Sequence, residues 1–168
     1  MKILIAEDEP DIAMPYRIAL ERRNHQVVIT PNGEECLNVY HQTLKQTPKG
    51  DGMPFDAVVL DYRMPKKDGM EVAKEILIAN PHQRIIFASA YVKDTLVDSV
   101  KELKQVVELM QKPFELDSLV DTIEDKEIYA GLEKLNVKVQ QIRDLDPTHE
   151  QIRDLVQGLS KVMRGRTF

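Results

Sequence analysis

Acidic, hydroxyl and basic side chains stand at the ends of short apolar runs in this sequence. Carboxylate oxygens without histidine or cysteine suit a hard cation, and a site with few carboxylates and room for water suits magnesium. A carboxylate whose charge is offset by a metal ion and an ammonium can attack phosphorus, and a hydroxyl can donate to the transferred oxygens. The side chains are Glu7 and Asp8 after the first run, Asp61 after the third, Ser89 at the end of the fourth and Lys112 after the fifth.

The apolar runs that precede these residues have the composition of buried parallel strands. They are short and β-branched, as strands covered on both faces are. Segments between them, such as residues 10–23 and 68–80, have apolar side chains three or four positions apart, which predicts crossover helices. The alternation predicts an α/β fold with a doubly wound parallel sheet. The predicted strands are Lys2–Ala6, Gln26–Thr30, Phe55–Leu60, Arg84–Ser89 and Val106–Met110.

A doubly wound sheet brings the ends of its strands together. Its sites form beyond the carboxyl ends of the strands, where the loops diverge, so all of the polar side chains named above are expected at one edge. Three carboxylates within ~4–5 Å repel by several kcal/mol per pair even at an effective dielectric near 20. The sequence therefore predicts a cation among Glu7, Asp8 and Asp61, with Lys112 as a second, fixed positive charge.

Two further segments differ from this alternation. Residues 41–54 are polar and contain glycine and proline, which predicts an unusually long surface loop before the third strand. Beyond the sheet, residues 123–168 keep apolar side chains three to five positions apart, with a break near Pro147. They predict a continuation of the fifth helix and one further helix, whose apolar faces pack on each other, on the preceding domain or on a second copy.

Composition excludes several classes of protein. The net charge of −5 over 168 residues gives no basic footprint for nucleic acid, and no DNA-binding output domain is expected. No apolar run reaches membrane-spanning length and no secretory leader is recognised, so a reducing cytoplasm is expected. The single cysteine, Cys36, is predicted to be a buried core residue. His25, His41 and His82 lack metal-ligand spacing and are predicted to lie on the surface.

Taken together, the motifs resemble those of the receiver domain of two-component response regulators, of the chemotaxis-regulator-like kind. The resemblance covers roughly the first 120 residues. It rests on four motifs in the family's order, each at the carboxyl end of a predicted strand: ILIAEDE, VVLDYRMPKKDG, IIFASAY and MQKPF. The resemblance implies a flavodoxin-like, five-stranded parallel sheet in the order 2-1-3-4-5.

The resemblance also implies a role for each site residue. Asp61 is expected to be the phosphoacceptor, Ser89 the switch hydroxyl, and Lys112 the partner of Asp61 and the phosphoryl group. Pro113 is expected to follow a cis peptide bond. The implied cofactor is Mg²⁺, with four expected ligands: Asp8 and Asp61 directly, Glu7 through water, and Arg63 through its backbone carbonyl.

Other positions set this sequence apart within that family. Members commonly have an aromatic residue three places before the lysine, whose rotation reports phosphorylation, and this sequence has Leu109 there. A ring-flip switch is therefore not expected at that position. Arg63 and Tyr91, two residues beyond Asp61 and Ser89, are bulky and are expected to flank the path of attacking water. We predict that they slow hydrolysis of the phosphoryl group.

Other functions fit the sequence less well. An aspartyl-phosphate hydrolase has a second Asp two residues after its nucleophile, and Arg63 stands at that position. A flavin-binding protein of similar topology needs a phosphate-cradling loop after the first strand, where the acidic segment EDEPDIA would repel phosphate. The intact set of site residues also argues against a phosphorylation-independent scaffold or dimerisation module.

The sequence is thus interpreted as a receiver over residues 1–122 followed by a helical extension over residues 123–168. The receiver is expected to take a phosphoryl group from a histidine kinase or phosphotransfer protein and to signal to a downstream protein. It catalyses only its own phosphorylation and dephosphorylation, so it is not expected to be an enzyme in the ordinary sense. The extension is expected to serve as a dimerisation or docking element.

Overall fold

The structure is a computed structural model, and it describes residues 1–50, 52–91, 96–100, 102–103, 105 and 107–126. The described strands are β1 Lys2–Ala6, β2 Gln26–Thr30, β3 Ala57–Leu60, β4 Ile85–Ser89 and β5 Glu108–Gln111. The described helices are α1 Pro10–Glu21, α2 Gly33–Gln46, α3 Gly69–Ala79, α4 Val97–Val100 and α5 Leu116–Glu124. The strands pair in parallel in the order β2-β1-β3-β4-β5. The predicted flavodoxin-like architecture is confirmed.

Alternate side chains of the strands pack on opposite faces of the sheet, as expected for strands that are covered on both sides. On the face toward α2 and α3, Leu4, Val58 and Phe87 are fully buried. On the face toward α1 and α5, Ile3 and Ile86 are fully buried as well. This two-sided burial explains why the strands have near-continuous apolar sequences, and it makes the sheet a rigid base for the residues at its edge.

The polar segment before the third strand is partly helical, so the loop prediction for residues 41–54 is wrong over residues 41–46. Helix α2 continues to Gln46, and Leu44 packs on the core beside the fully buried Tyr40. The hydroxyl of Thr43 donates to the Val39 carbonyl at 2.9 Å. Polar residues on the exposed face of the last turns hid the helical period. The connection that follows contains Gly50 at φ +104° and Gly52 at φ +97°, which glycine adopts without strain.

A buried arginine fixes the carboxyl end of α5 to the amino ends of β4 and β5. Arg84 donates from Nε and Nη2 to the two carboxylate oxygens of Glu108, at 2.7 and 3.0 Å. It also donates to the carbonyl oxygens of Thr122 and Ile123. These carbonyls belong to the last turn of the helix, where carbonyl groups have no hydrogen-bond donor within the helix. One guanidinium therefore joins β4, β5 and α5.

A second contact at this end of the molecule corrects the prediction for one histidine. The side chain of His25 is only 9% exposed, and its Nε2 lies 2.9 Å from Oε1 of Glu124. The surface prediction for His25 is therefore wrong, because the residue packs under the end of α5. Cys36 is fully buried as predicted, and burial raises the pKa of its thiol to about 12.

The part of the chain that the structure describes ends shortly after α5. Within it, no helix has both the length and the apolar character needed to cross a membrane. Apart from residues 123–126, the predicted helical extension over residues 123–168 lies outside the described residues. The division into a receiver and an extension therefore stays a prediction.

Candidate functional site

Three carboxylates meet where β1 and β3 end. The parallel register pairs Ala6 with Leu60, so the residues that follow these two strands come together. Backbone bonds continue the pairing, since the Asp61 amide donates to the Ala6 carbonyl at 3.0 Å. Carboxylate oxygens of Glu7, Asp8 and Asp61 all lie within 4.8 Å of one another. The predicted convergence of the acids is confirmed.

The basic partner of these acids comes from the loop after β5. The Lys112–Pro113 peptide bond is cis, as expected. Lys112 Nζ lies 2.6 Å from Oε2 of Glu7 and 3.5 Å from Oδ2 of Asp61. Three carboxylates thus face one ammonium, which leaves the cluster with an excess of negative charge. Such an excess favours a cation at the site.

The three acids differ in how deeply they are buried. Glu7 is 3% exposed and Asp61 is 9% exposed, while Asp8 is the most accessible of the three. Burial raises the pKa of Glu7, and the hydrogen bond and charge of Lys112 oppose that rise. The paired acid therefore lies deepest, and the accessible acid lies beside open space where a metal ion can keep water ligands.

Backbone contacts around β3 set the position of Asp61. Its Oδ1 accepts a hydrogen bond from the Tyr62 amide at 2.7 Å. The loop then folds back so that the Gly69 amide donates to the Tyr62 carbonyl at 2.8 Å. A Cβ atom at Gly69 would clash with the Asp61 carbonyl oxygen, so this close approach requires glycine. Asp68 caps α3 through a reciprocal bond pair with Glu71, which fixes the far end of the loop.

Ser89 lies at the end of β4 and is fully buried. Its Oγ accepts a hydrogen bond from the Tyr91 amide at 3.2 Å, and its carbonyl accepts one from the Lys112 amide at 2.9 Å. The first bond uses Oγ as an acceptor, so it leaves the hydroxyl hydrogen to be donated elsewhere. Ser89 is thereby joined to the loop that carries Lys112.

A cleft of about 550 Å³ opens beside the acids. At this cleft, the guanidinium carbon of Arg63 lies 3.9 Å from the centre of the Tyr91 ring. The contact joins the loop after β3 to the loop after β4. The lining residues are Asp8, Glu9, Ile12, Pro15, Tyr16, Asp61, Arg63, Ala90, Tyr91, Lys112, Pro113 and Phe114.

One lining residue was missed by the sequence reasoning. Tyr16 is 6% exposed and stacks on Phe114, with ring centres 5.7 Å apart and planes at 18°. Burial raises the pKa of Tyr16 above its ordinary value, and the charges of Glu7 and Asp61 raise it further. In the sequence Tyr16 is one of the regularly spaced apolar residues of α1, so nothing distinguishes it from a core residue.

The structure thus brings together four of the predicted site residues, Glu7, Asp8, Asp61 and Lys112, and places Ser89 on the neighbouring strand. The predicted role of the Arg63 carbonyl as a metal ligand stays a prediction. The donor set consists of oxygen atoms, and it is accompanied by one fixed ammonium. Chemically, such a site can hold a hard cation and stabilise charge on a transferred phosphoryl group.

Comparison with known proteins gives a consistent result. The family model of the response regulator receiver domain matches residues 3–124, a range that contains nearly every described element in full. Sporulation initiation phosphotransferase F of Bacillus subtilis is 27% identical over 122 residues, which make up 73% of this chain and 90% of that protein. Transcriptional regulatory protein RprY of Bacteroides fragilis is 30% identical over 126 residues.

The extent of these matches differs between relatives. The RprY match covers 74% of this chain but 48% of RprY, so the chain spans about half the length of that regulator. Among solved structures, response regulator protein TrrA of Thermotoga maritima, in complex with Mg(2+)-BeF, is 28% identical with a TM-score of 0.57. That match covers 73% of this chain and 96% of TrrA.

Proposed function

The chain belongs to the response regulator receiver family, and we propose that Asp61 is its phosphoacceptor. The phosphoryl group comes from a phosphohistidine of a histidine kinase or a phosphotransfer protein. One observation carries the proposal: the carboxylates of Glu7, Asp8 and Asp61 lie within 4.8 Å of one another, and Lys112 Nζ lies 3.5 Å from Asp61. This is an arrangement that offsets the charge of a nucleophilic carboxylate.

We propose Mg²⁺ as the cofactor, because the donor set fits a hard ion. Asp8 and Asp61 would hold it directly, with the Arg63 carbonyl as a third protein ligand. Both oxygens of Glu7 already have partners, since Oε2 accepts from Lys112 and Oε1 accepts from the Glu9 amide at 3.2 Å. Glu7 therefore fits a role through water better than direct ligation. When bound, the ion neutralises charge on the phosphoryl oxygens.

Side chains and backbone groups of this chain position the reacting groups and stabilise charge during phosphoryl transfer. One Asp61 oxygen attacks phosphorus, an O–P bond forms, and the P–N bond of the donor breaks with its electron pair returning to the imidazole. Asp61 is held for this by the Tyr62 amide, and the Lys112 ammonium stabilises negative charge beside it. The Ser89 hydroxyl donates to a phosphoryl oxygen. Catalysis is thus by positioning and electrostatics, as in other phosphoryl transfers.

The output of this receiver is a protein contact rather than turnover of a substrate. The chain catalyses its own phosphorylation and dephosphorylation, and its phosphorylated form binds a downstream protein. With a net charge of −5, it is poorly suited to DNA as a direct target. Residues 123–168 serve as a dimerisation or docking element, and the buried, unpaired Cys36 is consistent with a reducing cytoplasm.

Magnesium-dependent phosphorylation of the chain tests this function. Acetyl phosphate is the donor, and intact mass measures the product. The function requires a gain of one phosphoryl group in the wild type and none in Asp61→Asn. Equal gains in both proteins would place the modification elsewhere and contradict it.

A further inference from the structure

An arginine–tyrosine contact lies at the cleft beside Asp61. The guanidinium carbon of Arg63 is 3.9 Å from the centre of the Tyr91 ring, and both side chains line the cleft. Arg63 is exposed and Tyr91 is 36% exposed, so the contact lies on the solvent side of the buried acids. A guanidinium packed over an aromatic face keeps its N–H donors in its own plane, where they stay available to another partner.

The charge of Arg63 is not neutralised by the acids nearby. Asp8 and Asp61 line the same cleft, yet among the described residues no carboxylate forms an ion pair with Arg63. Lys112, the other basic residue that lines the cleft, is committed to Glu7 at 2.6 Å and its side chain is 13% exposed. One cation thus lies deep and paired, and a second lies at the opening, where no acceptor among the described residues takes its donors.

The incoming ligand of this site has the wrong charge for an acidic cleft. A terminal phosphoryl group is an anion, and the Lys112 ammonium with a bound Mg²⁺ would only balance the three carboxylates that it approaches. A basic side chain at the entrance adds a net attraction and raises the local concentration of the anion. A planar guanidinium also binds two phosphate oxygens at once.

We propose that Arg63, held over the Tyr91 ring, is an anion-binding site that takes the phosphoryl oxygens of the donor before transfer. Tyr91 is a positioning residue that keeps the guanidinium at the cleft. This inference rests on the proposed function, in which Asp61 receives the group. Arg63 is then the residue that binds the donor before Asp61 reacts with it. The ligand class is a terminal phosphoryl group, whether carried by an acyl phosphate or by an imidazole nitrogen.

Phosphate binding tests the proposal without requiring transfer. Inorganic phosphate is titrated into ¹⁵N-labelled Asp61→Asn protein with magnesium present, and NMR follows the Arg63 Nε–H signal, assigned by its loss in Arg63→Lys. We expect a saturable shift of this signal. Adding Tyr91→Leu weakens binding several-fold, while adding Tyr91→Phe, which keeps the ring, leaves it unchanged. An Arg63 signal that does not respond to phosphate overturns the proposal.

Donor dependence of phosphorylation supplies the second test. In Arg63→Met the donor concentration for half-maximal rate rises about tenfold, as loss of a charge-assisted bond predicts, while the maximal rate changes less than twofold. The matched control is Lys66→Met, which removes an equal charge from the same loop, because Lys66 points instead to Glu34 at 3.3 Å. An equal rise in Lys66→Met reduces the effect to net charge and overturns the site.

The two sources of the ligand are compared in the same assay. Acetyl phosphate and phosphoimidazole share the phosphoryl group and differ in the leaving group. Because Arg63 binds the phosphoryl oxygens, both donors lose affinity equally in Arg63→Met. A loss confined to one donor contradicts the proposal. Failure of the wild type to be phosphorylated counts against the proposed function, whereas unchanged donor dependence in Arg63→Met counts against this inference alone.

Discussion

Lys112 lies closer to Glu7 than to Asp61, at 2.6 Å against 3.5 Å. The contact with Glu7 involves the most deeply buried of the three acids. Lys112 is thus anchored at its inner side by one carboxylate, and its charge remains directed at the nucleophile beside it. This arrangement separates the residue that positions the ammonium from the residue that reacts.

Replacing Lys112 tests the value of that ammonium. Lys112→Met removes the fixed charge that offsets Asp61, so we expect phosphorylation to slow by about 10²-fold, in line with the loss of one electrostatic stabiliser. The measurement is the rate of mass gain with acetyl phosphate at saturating magnesium. Lys112→Arg keeps the charge and should retain part of the rate. A wild-type rate in Lys112→Met would show that Lys112 has no part in transfer.

The contact between Arg63 and Tyr91 predicts a long-lived phosphoryl group. Both side chains line the cleft that opens beside Asp61, so replacing either by alanine is expected to admit water and to speed hydrolysis several-fold. Because the two side chains hold each other, their effects should not add in the double variant. The decay of phosphorylated protein after donor removal measures this. Unchanged lifetimes in both single variants would refute the water-shielding role.

The buried pair of Arg84 and Glu108 is expected to contribute strongly to the stability of the fold at the amino ends of β4 and β5. Arg84→Met leaves a buried carboxylate and two helix-terminal carbonyls without their donor, which should cost about 3–5 kcal/mol in the free energy of unfolding. Urea denaturation gives this value. The double variant with Glu108→Leu should recover part of the loss. A single variant within 1 kcal/mol of the wild type would be incompatible with this role.

Stability at acidic pH should report on Glu124. Arg23 and His25 lower the pKa of this carboxyl to about 2, so the folded state releases the proton more readily than the unfolded chain. The stabilisation is therefore present at neutral pH and is lost as the pH falls from about 4.5 toward 2. Because the side chain is 29% exposed, Glu124→Gln should cost only about 1 kcal/mol at pH 7.

The wild type and Glu124→Gln together test whether the ion pairs of Glu124 cause this pH dependence. Chemical denaturation of wild type and Glu124→Gln is compared at neutral pH and at successively lower pH. The difference between their free energies of unfolding should narrow as the pH falls. A difference that stays constant over this range would mean that the ion pairs of Glu124 are not its source.

Several features of the fold could be predicted because local and global signals agree. Lys2–Ala6 and Gln26–Thr30 lie at their predicted bounds, since each β-branched apolar run is followed by a residue that ends it, Glu7 after the first and Pro31 after the second. The end of α2 was missed because the side chains near Leu44 are polar on the exposed face. The acids could be placed together because parallel strands bring their carboxyl ends to the same edge of the sheet.

The details of the site depend on loop conformation, which the sequence pattern does not specify. The preference of Lys112 for Glu7, the contact of Arg63 with Tyr91 and the burial of His25 against Glu124 each join residues from different loops or ends of the chain. Such contacts depend on distances between loops, which the whole sheet sets. Motif spacing therefore identifies the reacting groups and leaves their partners open.

Phosphorylation of Asp61 is tested most directly by intact mass after incubation with acetyl phosphate, with and without magnesium. The variants are Asp61→Asn and Asp68→Asn, the second being an acid of the same loop whose helix cap asparagine preserves. Phosphorylation at Asp61 predicts a magnesium-dependent gain of one phosphoryl group in the wild type and Asp68→Asn, and none in Asp61→Asn. A gain that survives Asp61→Asn, or that is the same without magnesium, would contradict it.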